Sequence, residues 1–441
     1  MRITSLFSLL SLTTLSLSGA LFYVSQDEPI APHFSARNFD KKACTLSFGV
    51  TKTEGHNSYN SNGTPVPFLE QYGTPQIAQF YKGLTPRSNS ASERYFSLTG
   101  TESLTNSTDA GSDYIPVVAS LRFDDPQNYY TLQSYHLAYT HYLFSGLFFR
   151  FNLQLVDQTI VQRPRAVGAD SSNARVLSFI DHFDQVLGEN NNPAVSFYNR
   201  KLEIERAGYF LGWHGKASLL DNFIREISGT LLAGYTFRPT HFDQPLAPAF
   251  LPHAQTHGYS AELDLAAQVS NHFGIECEIA TTSYGRYTDT AHVVCDDTST
   301  TTYFSGPPLL GIGKVLKDPG TLWVMEAGAS LNRYWGFSIT GGYHFSYQEA
   351  TVLTLQDTTI LQHSGLSALP GHQNTRLNSD PRLARWKHHT VFVRFGYTPS
   401  DSHRFVPEID FGIHWPVMGQ HSSSPTRIYT GSGQLSIRWT F

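Results

Sequence analysis

The chain has 441 residues, enough for two or three ordinary domains, yet only 15% of them are charged, against roughly 25% in typical soluble domains. Mean hydropathy is −0.26, and past the first twenty residues no apolar run reaches the roughly 18 residues that a membrane-crossing helix needs. The formal charge of −5 and pI near 6.4, with no basic stripe or patch, leave no electrostatic footprint for nucleic acid.

Met1-Arg2 and the uncharged stretch ITSLFSLLSLTTLSLSGA read as the n-region, h-region and small-residue cleavage site of a secretory signal peptide over 1–20, cut after Ala20. Residues 21–42 then form a periplasmic N-terminal segment. Three cysteines (Cys44, Cys277, Cys295) make no disulfide framework.

From there the recurring signal is apolar/polar alternation with a period of two, the pattern of strands with one apolar face. The first such segment is 43–52. The stretch 53–127 follows, too long for a plain loop; Thr74-Pro75 through Gly83 in it reads as a capped short helix. Weak alternation at 92–100 and 114–123 allows one more hairpin. Strands are predicted at 128–142 and 146–156, the latter setting Leu147, Phe149, Phe151, Leu153 and Leu155 against Phe148, Arg150, Asn152 and Gln154. A helical spacing at 171–187 precedes a strand at 206–215, and 219–225 reads as a short helix in a turn. Further strands fall at 228–238, 257–269, 272–282, 322–332, 334–348, 388–398, 404–415 and 430–441, with 334–348 the clearest alternation of all.

The expected fold class is therefore all-β, an antiparallel barrel over 43–441 of about twelve strands, or fourteen with the extra hairpin. Strands of about 9 to 14 residues suit a tilted bilayer crossing. Connections alternate long and short along the chain, which a soluble sandwich has no reason to do. In a membrane barrel it sorts into short periplasmic turns and long extracellular loops, with both termini periplasmic. The apolar face then meets lipid, and Tyr209, Trp213, Tyr235, Trp323, Trp335, Tyr397, Trp415 and Trp439 suit two interfacial girdles.

The last strand, Gln434-Leu435-Ser436-Ile437-Arg438-Trp439-Thr440-Phe441, ends on an aromatic after strict alternation. With the signal peptide and the alternating strands, it resembles the outer-membrane β-barrel proteins of Gram-negative bacteria, porins among them. The resemblance implies a cell outer-membrane location, contact with outer-membrane lipid and lipopolysaccharide, and a terminal Trp439/Phe441 signal read by the barrel assembly machinery. It covers nearly the whole mature chain as architecture and the last strand as motif.

The polar phase, expected to line a hydrated lumen, carries Glu262, Asp264, Glu276, Glu278, Glu326, Glu408 and Asp410 against Arg150, Arg394 and Arg438, with His136, His214, His344 and His414. Seven acids against three arginines predict a mildly cation-favouring interior. Four of the acids share the hairpin 257–282, a cation-selective wall or a place for divalent ions; the plainer reading is a water-bathed face. His344-Phe345-Ser346 has the spacing of a His-activated Ser on one strand face, but it lies on the lumen phase and has no evident acid to orient the His. No catalytic residue is therefore assigned. His388-His389 lacks ligand spacing, no nucleotide motif is present, and no metal or cofactor is expected. The leading function is a porin-like channel for passive diffusion of small hydrophilic solutes, with a homo-oligomer among the assemblies open to it. The alternative is a structural or adhesive surface protein using its long loops, and a third is a lipid hydrolase.

Overall fold

The computed structural model describes residues 43–55, 57–60, 62–67, 120–122, 129–161, 165–169, 171–172, 177, 197–218, 224–237, 257–270, 272–292, 312–332, 336–356, 378, 384–398, 405–420 and 430–440. Twelve of its strands close into one ring: β1 (Ala43–Gly55), β2 (Tyr129–Phe144), β3 (Leu147–Val161), β4 (Phe197–Ser218), β5 (Glu226–Phe237), β6 (His257–Gln268), β7 (Phe273–Tyr284), β8 (Thr321–Asn332), β9 (Phe337–Gln348), β10 (Trp386–Tyr397), β11 (Phe405–Gln420) and β12 (Thr430–Thr440). Each pairs antiparallel with its neighbours in chain order, and β1 closes the ring against β12 through Ala43↔Thr440 to Lys52↔Gly431. Closure leaves the ring without an edge strand.

The alternation read in the sequence becomes an inside and an outside. Along β6 every second residue from Gly258 to Ala266 is buried, while Tyr259, Ala261, Leu263 and Leu265 are exposed. Leu46, Phe48, Leu211, Leu231, Ile279, Met325, Val391, Phe395 and Phe411 stand outward in the same way on other strands. An apolar band running round a ring is far larger than a water-soluble surface tolerates. In lipid it costs nothing. Among the girdle candidates, Tyr209, Trp213, Tyr235 and Trp323 are exposed and Tyr397 and Trp415 half-exposed; the side chains of Trp335 and Trp439 lie outside the described residues.

The strand order puts the shorter connections, 145–146, 219–225, 269–272, 333–336 and 398–404, at one end of the ring and the longer ones at the other. Ser145 and Gly146, with φ of 49° and 86°, make the two-residue turn whose twist matches the strands. Gly146 N donates to Tyr142 Oη at 2.9 Å.

Several expectations need correction. β4 begins at Phe197, nine residues before the alternation becomes legible at 206. Two register shifts in its pairing with β3, at Gln154/Leu155 and Val156/Gln158, break the phase, so that Glu205, Arg206, Ala207 and Gly208 are buried consecutively. β11 runs on to Gln420 past a bulge opposite His389/Thr390; Pro416, lacking an N–H, sits there without loss. The long connections hold structure of their own. Asn57–Tyr59 pairs with Pro65–Pro67, and Tyr287–His292, Ile312–Asp318 and Val352–Leu355 form a small sheet beyond the barrel. The weak strand at 114–123 is present as Ser120–Arg122, but it pairs with Arg165–Val167 in the next long connection, outside the ring. Its predicted partner 92–100, the helix at 74–83, the turn segment 219–223, almost all of 171–187, Cys295 and the segment 1–42 lie outside the described residues. Cys44 and Cys277 are free thiols.

Candidate functional site

The inward face gathers charge at one level. Asp264 stands directly opposite Glu278, Glu278 opposite Glu326, and Glu326 opposite His344, so four titratable side chains on β6 to β9 form one row across the wall. Thr230 and Thr390 extend it on either side. Glu262 lies one inward position along β6 from Asp264, and Glu276 one along β7 from Glu278.

Two arginines are set among these acids. Arg394 on β10 reaches diagonally over β9, donating from Nη2 to Glu326 Oε1, with Nη1 4.0 Å from Glu276 Oε1. Its guanidinium carbon lies 4.2 Å from the centre of the Phe392 ring, a stacked arrangement that fixes the plane of the fork. Arg150 on β3 comes from the other side: Nη1 is 3.7 Å from Glu262 Oε1, while Nε donates to Asn152 Oδ1 at 3.1 Å. His344 Nδ1 is 3.4 Å from Glu326 Oε2. Of the sequence candidates, Glu262, Asp264, Glu276, Glu278, Glu326, Arg150, Arg394 and His344 therefore meet in one constellation. Glu408 and Asp410 on β11 are inward but stand apart from it, and the side chain of Arg438 lies outside the described residues.

The interior differs from the water-bathed wall that composition suggested. Arg150 is 1% exposed, Asp264 4%, Glu262 6% and Glu326 7%. What fills the space is bulky inward side chains the charge count passed over. Phe148, Phe210 and Leu232 pack together on the β3–β5 wall. Ala280, Tyr284, Leu322, Val324 and Trp386 form a second apolar group at the long-loop ends of β7, β8 and β10. The sequence did hold a signal for this. Gly212 and Gly342 lie beside Phe148 and Phe392, and any Cβ added at either would strike the neighbouring ring; an inward Phe opposite a Gly marks a ring lying flat on the wall.

The hydrolase pair fares poorly as geometry. His344 does have an acid beside it, Glu326, which the sequence did not reveal. Ser346 is fully buried, though, and among the described residues its Oγ has no hydrogen-bond partner. In the His388-His389 pair, His388 points inward and is fully buried, while His389 lies against the Phe345 ring at 4.7 Å between centres.

A closed antiparallel ring, apolar outward on strand after strand, charged within, and with its long connections at one end, defines a transmembrane β-barrel of the outer-membrane type. Solved structures with a similar architecture include an outer-membrane channel from Pseudomonas putida F1 (8% identity, covering 91% of this chain and 97% of that one, TM-score 0.44). The Ralstonia pickettii toluene transporter TbuX is similar at 11% identity (96% and 95% covered, TM-score 0.32), and the NanC porin at 5% (74% and 98%, TM-score 0.28). No protein-family model matches the sequence, and no curated protein matches it. The class rests on the chain's own ring closure and outward apolar face.

Proposed function

We propose that this protein is an outer-membrane channel of narrow bore, exported by its N-terminal signal peptide and inserted through recognition of the strand ending at Phe441. It would pass small hydrophilic solutes through the charged level of the interior and favour cations. The observation that carries this reading is the row Asp264, Glu278, Glu326, His344 with Arg394 set beside it. Charges of both signs lining a confined passage make a selective filter, because the low-dielectric wall concentrates their field on whatever passes. The acids Glu262, Asp264, Glu276, Glu278 and Glu326 against Arg150 and Arg394 give −5 + 2 = −3, His344 being counted neutral. Planar-bilayer recordings of the purified protein test it directly: discrete conductance steps are expected, with a reversal potential in a salt gradient on the cation-selective side. Absence of steps ends this reading.

A second reading is supported by the burial of the same side chains together with the small sheet 287–292, 312–318 and 352–355 beyond the ring. Here the barrel is a filled anchor presenting its outer loops. Deleting 294–310 separates the two: a channel keeps its conductance, whereas an anchor loses a surface interaction.

A further inference from the structure

We propose that Glu262, Asp264 and Glu278 together hold one hard divalent cation of calcium's size inside the barrel. One carboxylate oxygen from each residue lies within 4.8 Å of the other two. Oxygens within that spread can share a common centre at about 2.4 Å, the calcium–oxygen distance, and a buried, partly apolar interior favours calcium's flexible coordination over the strict, water-rich octahedron of magnesium. All three donors are carboxylates, which select hard cations over zinc or copper.

The independent observation is Asp264. It is 4% exposed, and among the described residues neither of its carboxylate oxygens has a hydrogen-bond partner. A buried carboxylate without a partner is strongly unfavourable, and this one also stands directly across from Glu278, a like-charge pairing that itself destabilises a sheet. Among the described residues neither nearby arginine hydrogen-bonds Asp264. Arg150 approaches Glu262 at 3.7 Å, and Arg394 lies on Glu326 and Glu276. Three carboxylates and Arg150 sum to −3 + 1 = −2, which a single divalent ion cancels. The ion ties β6 to β7 at mid-strand, and water supplies the remaining ligands. Ion binding stands independently of solute passage, so a barrel with no conductance still tests it.

The test uses the full chain folded in detergent free of lipopolysaccharide, stripped with chelator and dialysed to equilibrium against radioactive calcium. One ion per barrel is expected, with Asp264→Asn and Glu278→Gln each binding about 100-fold more weakly. Thermal unfolding provides the control for folding. With calcium present the wild type is more stable than Asp264→Asn; in chelator the order reverses, because the variant lacks the unneutralised charge. If the wild type binds no calcium, or Asp264→Asn binds it equally well, or chelator leaves wild-type stability unchanged, the cluster is held by shared protons and the proposal is overturned.

Discussion

Arg150 and Glu262 meet at 3.7 Å although β4 and β5 lie between their strands. The contact cuts a chord across the barrel interior and joins two parts of the wall; on the channel reading it also narrows the passage. Neither group is more than 6% exposed.

Replacing Arg150 by Ala removes both effects at once. Breaking a buried pair by deleting one partner leaves the other charge unmatched, a loss of about 3 kcal/mol, the lower end for such pairs because the separation exceeds hydrogen-bond length. The same change opens the chord. The variant should unfold at lower denaturant and, where it folds, show larger unitary conductance than wild type. Unchanged conductance would place the passage on the other side of the interior.

On the channel reading Arg394 sets the charge balance at this level, since its guanidinium lies against both Glu326 and Glu276. Arg394→Met keeps much of the stem's volume over Phe392 and removes the charge. The interior sum then falls from −3 to −4, and the reversal potential in a potassium chloride gradient should move toward the ideal cation value. Glu326→Gln should move it the other way. A shift of the same sign in both variants would mean that this level does not set selectivity.

How much of this was legible in the sequence follows from what alternation encodes. A period of two reports which residues share a face, so all twelve barrel strands could be read, and Glu262, Asp264, Glu276 and Glu278 could be placed inward on one hairpin. It does not report register. That Asp264 faces Glu278 rather than Glu276 depends on the length of the 269–272 turn and on pairing along the whole hairpin. The diagonal reach of Arg394 to a strand two away, and the partnership of His344 with Glu326, depend on several registers compounded. Phase also fails at bulges, which is why β4 and β11 extended past their predicted ends. The bulky inward side chains were hidden for a different reason: Phe148 and Phe392 sit on the polar phase as isolated exceptions, and their meaning emerges only beside Gly212 and Gly342.

The turn at Ser145-Gly146 gives a stability prediction of two signs. Both residues have positive φ, and a Cβ on Gly146 would strike the His214 carbonyl oxygen. Gly146→Ala should therefore cost about 2 kcal/mol or more. Ser145→Asn places at the first turn position the side chain that best tolerates the left-handed region, and it should gain roughly 0.5 kcal/mol. Urea titration of folding into phospholipid vesicles, read by tryptophan fluorescence, measures both. Equal effects of the two substitutions would contradict the turn geometry.

The most searching prediction concerns Leu263, which points outward between inward Glu262 and Asp264 and is 38% exposed. In a water-soluble barrel, replacing an exposed Leu by Arg changes stability by only about 0.5 kcal/mol in either direction. Facing hydrocarbon at mid-strand, the same change should cost about 2–4 kcal/mol, falling to about 1 or less near the interfaces. Tyr259, four residues nearer the strand end on the same face and 69% exposed, supplies the interfacial comparison, because a guanidinium there can reach the headgroups. Leu263→Arg should thus lose several times more folding free energy than Tyr259→Arg in vesicles, and the gap should shrink in thinner bilayers. An equal, small cost at both positions would remove the lipid from around this barrel, whatever its interior does.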